Sequence, residues 1–205
     1  MAATLDKDQA VAMLKAVAQA LVDQTDVLTD ADLAIGDGDH GIGMRRGFEA
    51  ALASLDATPP DSIEAAFKAV GTAILSNTGG AAGAVFGTLF RSGAKAFAGR
   101  ETIDGQSFAG FLDAGLEAVL KRGGVTEGQK TMIDAVAPAA RAARSAAGDG
   151  LGAATRAAAT AALAGVEATK GMVATTGKAR SLGERSIGHP DPGAISIALI
   201  LGAMR

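Results

Sequence analysis

The chain has 205 residues, 48% of them hydrophobic, with 19 basic against 22 acidic side chains and no cysteine. That length suits one domain, residues 1–205, with a genuine core. The absence of a basic excess argues against nucleic acid or an anionic membrane as partner, and the absence of thiols excludes disulfides and thiolate metal sites. Met1 to Ala20 carries Asp6, Asp8 and Lys15 where a signal peptide needs an apolar run, so a cytoplasmic protein is expected.

Alanine dominates, aromatic residues make up 3% without Trp or Tyr, and β-branched residues rarely alternate, which predicts an all-α fold. Val11, Leu14, Ala18, Leu21 and Val22 follow helical spacing after an Asp6/Gln9 capping box. A second predicted helix starts beyond Asp39, runs through Met44, Phe48, Leu52 and Leu55, and stops at Pro59-Pro60. Asp61 or Ser62 caps a third with Ile63, Phe67, Val70 and Ile74, and a fourth carries Phe86, Leu89, Phe90 and Phe97. The fifth holds Phe108 to Leu120 and ends at Gly123-Gly124; the sixth begins near Lys130 and passes Pro138. Ala-rich sequence from Leu151 to Lys170 makes a seventh, its small face implying close packing. Asp191-Pro192 reads as the N-cap and first turn of an eighth.

Asp32, Asp37 and Asp39 crowd three carboxylates around Gly36, Gly38 and Gly41, a density of like charge that calls for a cation. A calcium EF-hand fails, because counting from Asp37 puts Gly41 and Phe48 where oxygen ligands belong. Magnesium, which takes oxygen ligands and completes its shell with substrate phosphates and water, fits better and implies a nucleotide. The bland alternative is a capped turn, with Asp39 as N-cap and the other two aspartates solvated; the residues alone leave both readings open. Gly79-Gly80-Ala81-Ala82-Gly83 offers free N–H groups at a predicted helix start, suited to phosphate or to close packing. Gly123 to Thr131 and Gly171 to Ala179 look superficially like Walker A loops, but their spacing is wrong and neither follows a strand.

Four segments in order, GDGDHG at Gly36 to Gly41, GGAAGAVFGTLF at Gly79 to Phe90, GQKTMIDAVAP at Gly128 to Pro138 and LGERSIGHPDPGA at Leu182 to Ala194, resemble the L subunit of dihydroxyacetone kinase. The resemblance implies an eight-helix antiparallel barrel with ADP or ATP at one end, its phosphates held through a pair of magnesium ions on Asp32, Asp37 and Asp39. On that pattern His40, Gly41, Ile42 and Gly43 contact phosphate or ribose, Ala81, Ala82, Gly123 and Met132 line the pocket, and Asp191, Pro192 and Gly193 close it. His189 reads as structural. The chain departs from the pattern at Gly43, where Asn is common, at Ala82, where Ser is usual, and at Lys178, where Arg is expected. Lysine is a point donor and cannot reproduce a bidentate Arg contact; Arg180 stands nearby on the same predicted loop.

The function so implied is half a kinase: a phosphoryl donor that works with a separate dihydroxyacetone-binding subunit. ADP would be a retained cofactor recharged by a phosphotransferase-system protein, or ATP an exchangeable donor. The alternatives are a nucleotide-dependent regulatory or binding module and a donor subunit for another acceptor such as a tetrose. A homodimer is compatible with the sequence, and no residue in this chain stands out as catalytic.

Overall fold

The computed structural model describes residues 4–205. Among them are nine α-helices: α1 (Lys7–Asp23), α2 (Thr25–Ile35), α3 (His40–Ala57), α4 (Ile63–Asn77), α5 (Gly80–Gly93), α6 (Gly105–Gly123), α7 (Ile133–Ala146), α8 (Leu151–Thr169) and α9 (Pro192–Ala203). Short 3₁₀ segments occupy Ala94–Phe97, Ala147–Asp149 and Lys178–Ser186. A small antiparallel pair, β1 (Leu5–Asp6) and β2 (Thr102–Ile103), sets Leu5 opposite Ile103.

The helix starts follow from local chemistry. Asp6 and Gln9 form the expected capping box on α1, Ser62 caps α4, Asp104 and Ser107 form a second capping box on α6, and Asp191 caps α9 with Pro192 in its first turn. Gly124, at φ 61°, ends α6 in the left-handed conformation. The eight helices predicted from sequence are present with small shifts: α7 begins at Ile133, and Phe97 belongs to the 3₁₀ turn after α5. The unpredicted element is α2. Its buried positions are Leu28, Asp32 and Ile35, while Val27 and Leu33 are exposed. An aspartate on the buried stripe and leucine on the outer face hide the helical period.

Each of α1, α3, α4, α5, α6, α7, α8 and α9 packs on the next in that order, and α9 packs back on α1. Eight helices therefore close a ring, and α2 lies outside it against α3 and α9. The interior is filled by aliphatic residues and a phenylalanine cluster in which the Phe67 ring lies 4.6 Å from Phe97 and 5.0 Å from Phe111, centroid to centroid. Each buried Phe contributes roughly 1.5–3 kcal/mol by area. The Ala-rich α7 and α8 approach closely at Gly165, where a Cβ would collide with the Asp134 carbonyl. Pro138 has no N–H to give that carbonyl, so the α8 backbone rests on an acceptor that α7 itself leaves open.

Because neighbouring helices alternate in direction, the connections α2–α3, α4–α5, α6–α7 and α8–α9 gather at one end of the barrel. The segments around residues 32–43, 78–83, 123–134 and 169–193 are thereby brought together.

Candidate functional site

At that end, one ligand oxygen from each of Asp32, Asp37 and Asp39 lies within 4.8 Å of the others. Asp32 is buried, whereas Asp37 and Asp39 are exposed. Asp32 sits in the last turn of α2, the helix that the sequence pattern did not reveal. This helix therefore delivers the one buried carboxylate. The capped-turn reading fails on geometry: Asp39 occupies the N-cap of α3 without a side-chain capping bond. Asp32 Oδ2 instead accepts the His40 N–H at 3.2 Å.

Lys178 reaches the cluster from the 3₁₀ segment. Its ammonium donates to Asp39 Oδ2 at 2.8 Å and to Asp37 Oδ2, and these bonds hold the Asp37 carboxyl below its usual range and the Lys178 pKa above its own. The ammonium stands in for a cation: an all-oxygen pocket of three carboxylates that draws in a lysine has the charge and donor type for a hard divalent ion. Arg180 is exposed two residues on, with no hydrogen bond or ion pair described for it.

His40 lies at the first position of α3, with Nε2 2.9 Å from Ser196 Oγ on α9 and its ring 6.2 Å from Phe86. Burial lowers its pKa, while Asp32 and Asp39 pull it upward. Gly41 abuts α2, where a Cβ would collide with Thr25 and Thr29; Gly43 abuts α4, where a Cβ would come within 2.9 Å of the Thr78 carbonyl. Gly43 in place of Asn thus permits close packing. Ile42 between them is 46% exposed. The Gly79–Gly83 segment forms the N-terminus of α5 as expected, with Gly79 at φ 82° and Arg46 donating to the Thr78 carbonyl at 3.1 Å. Ala81 is exposed and Ala82 half-buried.

Opposite, Met132 is buried against Gly193, whose Cβ, if present, would lie 3.3 Å from Met132 Cβ. Asp191 accepts the Ala194 N–H at 2.7 Å, and its own N–H donates to Thr169 Oγ1 at 3.0 Å. Burial raises the Asp191 carboxyl to about 7; the Ala194 N–H opposes that, Asp134 adds to it, Lys130 opposes it and Asp32 adds to it. The structure thus joins Asp32, Asp37, Asp39, His40 and Lys178 directly, and Met132 with Asp191 to Gly193. Gly123 is exposed at the end of α6, and no described contact ties it, or Ala81, to the aspartates.

Sequence reasoning missed Lys130, Asp134, Thr169 and Ser196. Asp134 accepts the Gly128 and Thr131 N–H groups at 2.5 and 2.8 Å, and Ser196 fixes His40. Lys130, Thr169 and Ser196 act on residues far away in sequence, Asp134 acts within its own turn, and only the Gly128 to Pro138 motif flagged any of them.

Residues 34–205 match the family described as DAK2 domain. The chain is 41% identical over 201 residues to the ADP-binding subunit DhaL of PEP-dependent dihydroxyacetone kinase 1 from Listeria innocua, covering 98% of this chain and 96% of that one. It is 36% identical over 196 residues to L-erythrulose 1-kinase of Mycolicibacterium smegmatis, covering 95% of this chain and 34% of that one. Its fold superposes on the crystal structure of the dihydroxyacetone kinase from C. freundii in complex with AMP-PNP and Mg2+ with a TM-score of 0.74 at 25% identity, covering 95% of this chain and 33% of the kinase.

Proposed function

The chain belongs to the DAK2-domain family and is a kinase subunit of the dihydroxyacetone kinase L type, and from that premise we propose that it is a phosphoryl-donor module that binds a magnesium–adenine nucleotide at the α2–α3 end of the barrel. The observation that carries this is the convergence of Asp32, Asp37 and Asp39, with the Lys178 ammonium seated between two of them. Those three carboxylates would hold magnesium. When bound, the ion neutralises phosphate charge and orients the phosphoryl group.

The remaining work falls to the chain's own groups. The α5 N-terminus presents unpaired N–H groups at Ala81 and Ala82 to phosphate, which replaces the hydroxyl lost at Ala82. Lys178 and Arg180 would supply positive charge for the phosphates from the 3₁₀ segment beside the aspartates. His40, whose neutral form burial favours and whose ring Ser196 orients, offers a hydrogen bond at the start of α3. Met132 and Pro192-Gly193 give an uncharged wall for the nucleoside.

The acceptor belongs on a second chain. The Listeria relative is named as a subunit, and this chain matches it nearly end to end, which supports a division of labour in which phosphoryl transfer needs the partner to place a hydroxyl in line. Its name also supports ADP as a retained cofactor, recharged by a phosphoryl donor protein. The likeness to L-erythrulose 1-kinase keeps a tetrose acceptor as a second reading. The test is an assay of the purified chain with ATP, magnesium and dihydroxyacetone or erythrulose, alone and with a substrate-binding subunit plus its phosphoryl donor. Turnover is expected only on mixing, and turnover by the isolated chain would sink the half-enzyme reading. ADP that survives dialysis would support the cofactor mode over exchangeable ATP.

A further inference from the structure

Lys130 is the one non-glycine residue with left-handed backbone among the described residues, at φ 61°, and it is only 2% exposed. Positive φ crowds a Cβ against the backbone, and burial strips water from a charge, here lowering the lysine pKa. A turn that needed only positive φ would be served by glycine, as at Gly128. The side chain is therefore what this position retains. Its ammonium donates to the Thr169 carbonyl at 2.6 Å and to the His189 carbonyl at 2.5 Å. Thr169 is the last residue of α8, and its carbonyl, which also accepts the Met172 N–H at 3.1 Å, lies at the negative end of the helix dipole. His189 stands two residues before the N-cap of α9. Asp191 and Asp134 lie close enough to supply countercharge, and Asp134 closes the turn that carries Lys130 through the Gly128 and Thr131 N–H groups.

One buried cation thus fastens three segments: the 128–134 turn, the end of α8 and the lead into α9. The contact that this fastening sets is Met132 against Gly193, the uncharged wall assigned above to the nucleoside. We propose that Lys130 is a positioning residue for the nucleoside half of the nucleotide, holding the Met132 wall against the Gly193 wall independently of the aspartate cluster at the phosphate end. This rests on the nucleotide reading and divides that site into two separately supported halves.

The experiment is calorimetry in magnesium with ADP and with pyrophosphate, on the parent chain and on Lys130→Met, which keeps an apolar stem without the ammonium. Lys130→Met is expected to bind ADP about tenfold more weakly or worse, and pyrophosphate within about twofold of the parent. General loosening of the fold would instead weaken both ligands by a similar factor. Unchanged ADP affinity, or equal weakening of the two ligands, overturns the proposal. If circular dichroism shows that Lys130→Met does not fold, Lys130→Gln, which keeps a neutral donor, is judged by the same two ratios. A parent chain that binds no ADP would overturn the nucleotide reading itself, whereas a parent that binds ADP beside an equally tight Lys130 variant overturns only this inference.

Discussion

Three carboxylates with ligand oxygens within 4.8 Å of one another repel strongly unless a cation is present, and Lys178 can neutralise only part of that charge. Asp37→Asn and Asp39→Asn should each weaken magnesium-dependent ADP binding by roughly 100-fold while leaving helicity unchanged. Calorimetry that finds parental, magnesium-dependent affinity in both variants would remove the metal role. Asp191 makes a different prediction, because its ionised form is penalised by burial and its carboxyl rises to about 7. A carboxyl raised in the folded state favours folding below its unfolded pKa, and that contribution is lost as pH climbs from about 4 through 7. Asp191→Asn, which can still cap α9, should therefore leave stability unchanged near pH 4 and raise it at pH 8. The gain should be roughly 1–3 kcal/mol, less than the full shift represents because Asp191 keeps some solvent contact. Urea midpoints for the two proteins at both pH values measure it, and a gain of equal size at pH 4 would contradict the linkage.

At the scale of elements, glycine decides how near the helices approach. A Cβ added at Gly165 on α8 would run into the Asp134 carbonyl and Ala135 Cα of α7, atoms of backbone that cannot swing aside. Gly165→Ala should cost about 1–3 kcal/mol of overpacking, outweighing the ~1 kcal/mol by which Ala favours a helix over Gly. The melting temperature should fall by several degrees for a chain of this size. Gly202 on α9 is the control: a Cβ there meets nothing within 4 Å, so Gly202→Ala should be neutral or stabilising by up to ~1 kcal/mol. Equal effects in thermal melts would mean that helix propensity, and not the α7–α8 approach, governs both sites. These elements were largely legible beforehand. Capping residues at Asp6, Ser62 and Asp191 and apolar stripes located eight helices. Helix α2 escaped because Asp32 interrupts its buried face and Leu33 sits outside.

At the scale of the whole molecule, ring closure through α9 on α1 puts the site on four inter-helix connections at one end, so a ligand bound there braces segments spread from α2 to α9. Ligand that binds only the folded barrel should stabilise it by about 2.7 kcal/mol at 100 times its Kd, raising the melting temperature by roughly 5–10 °C. Differential scanning calorimetry with magnesium and ADP tests this. The shift should vanish in Asp37→Asn, and a shift that persists in that variant would place the ligand elsewhere.

The sequence by itself determined the all-α class, most helix boundaries, the three aspartates and the family, because caps, apolar periods and Gly-rich motifs are local signals written within a few residues. Tertiary structure decided the rest. Only folding shows that Asp39 leaves α3 uncapped while Asp32 accepts the His40 N–H, and that Lys178 crosses to Asp37 and Asp39. Only folding buries Lys130 under the carbonyls of Thr169 and His189. Those partners lie up to 141 residues apart, and a charge's burial and countercharge are set by what the barrel brings beside it, which no local pattern encodes.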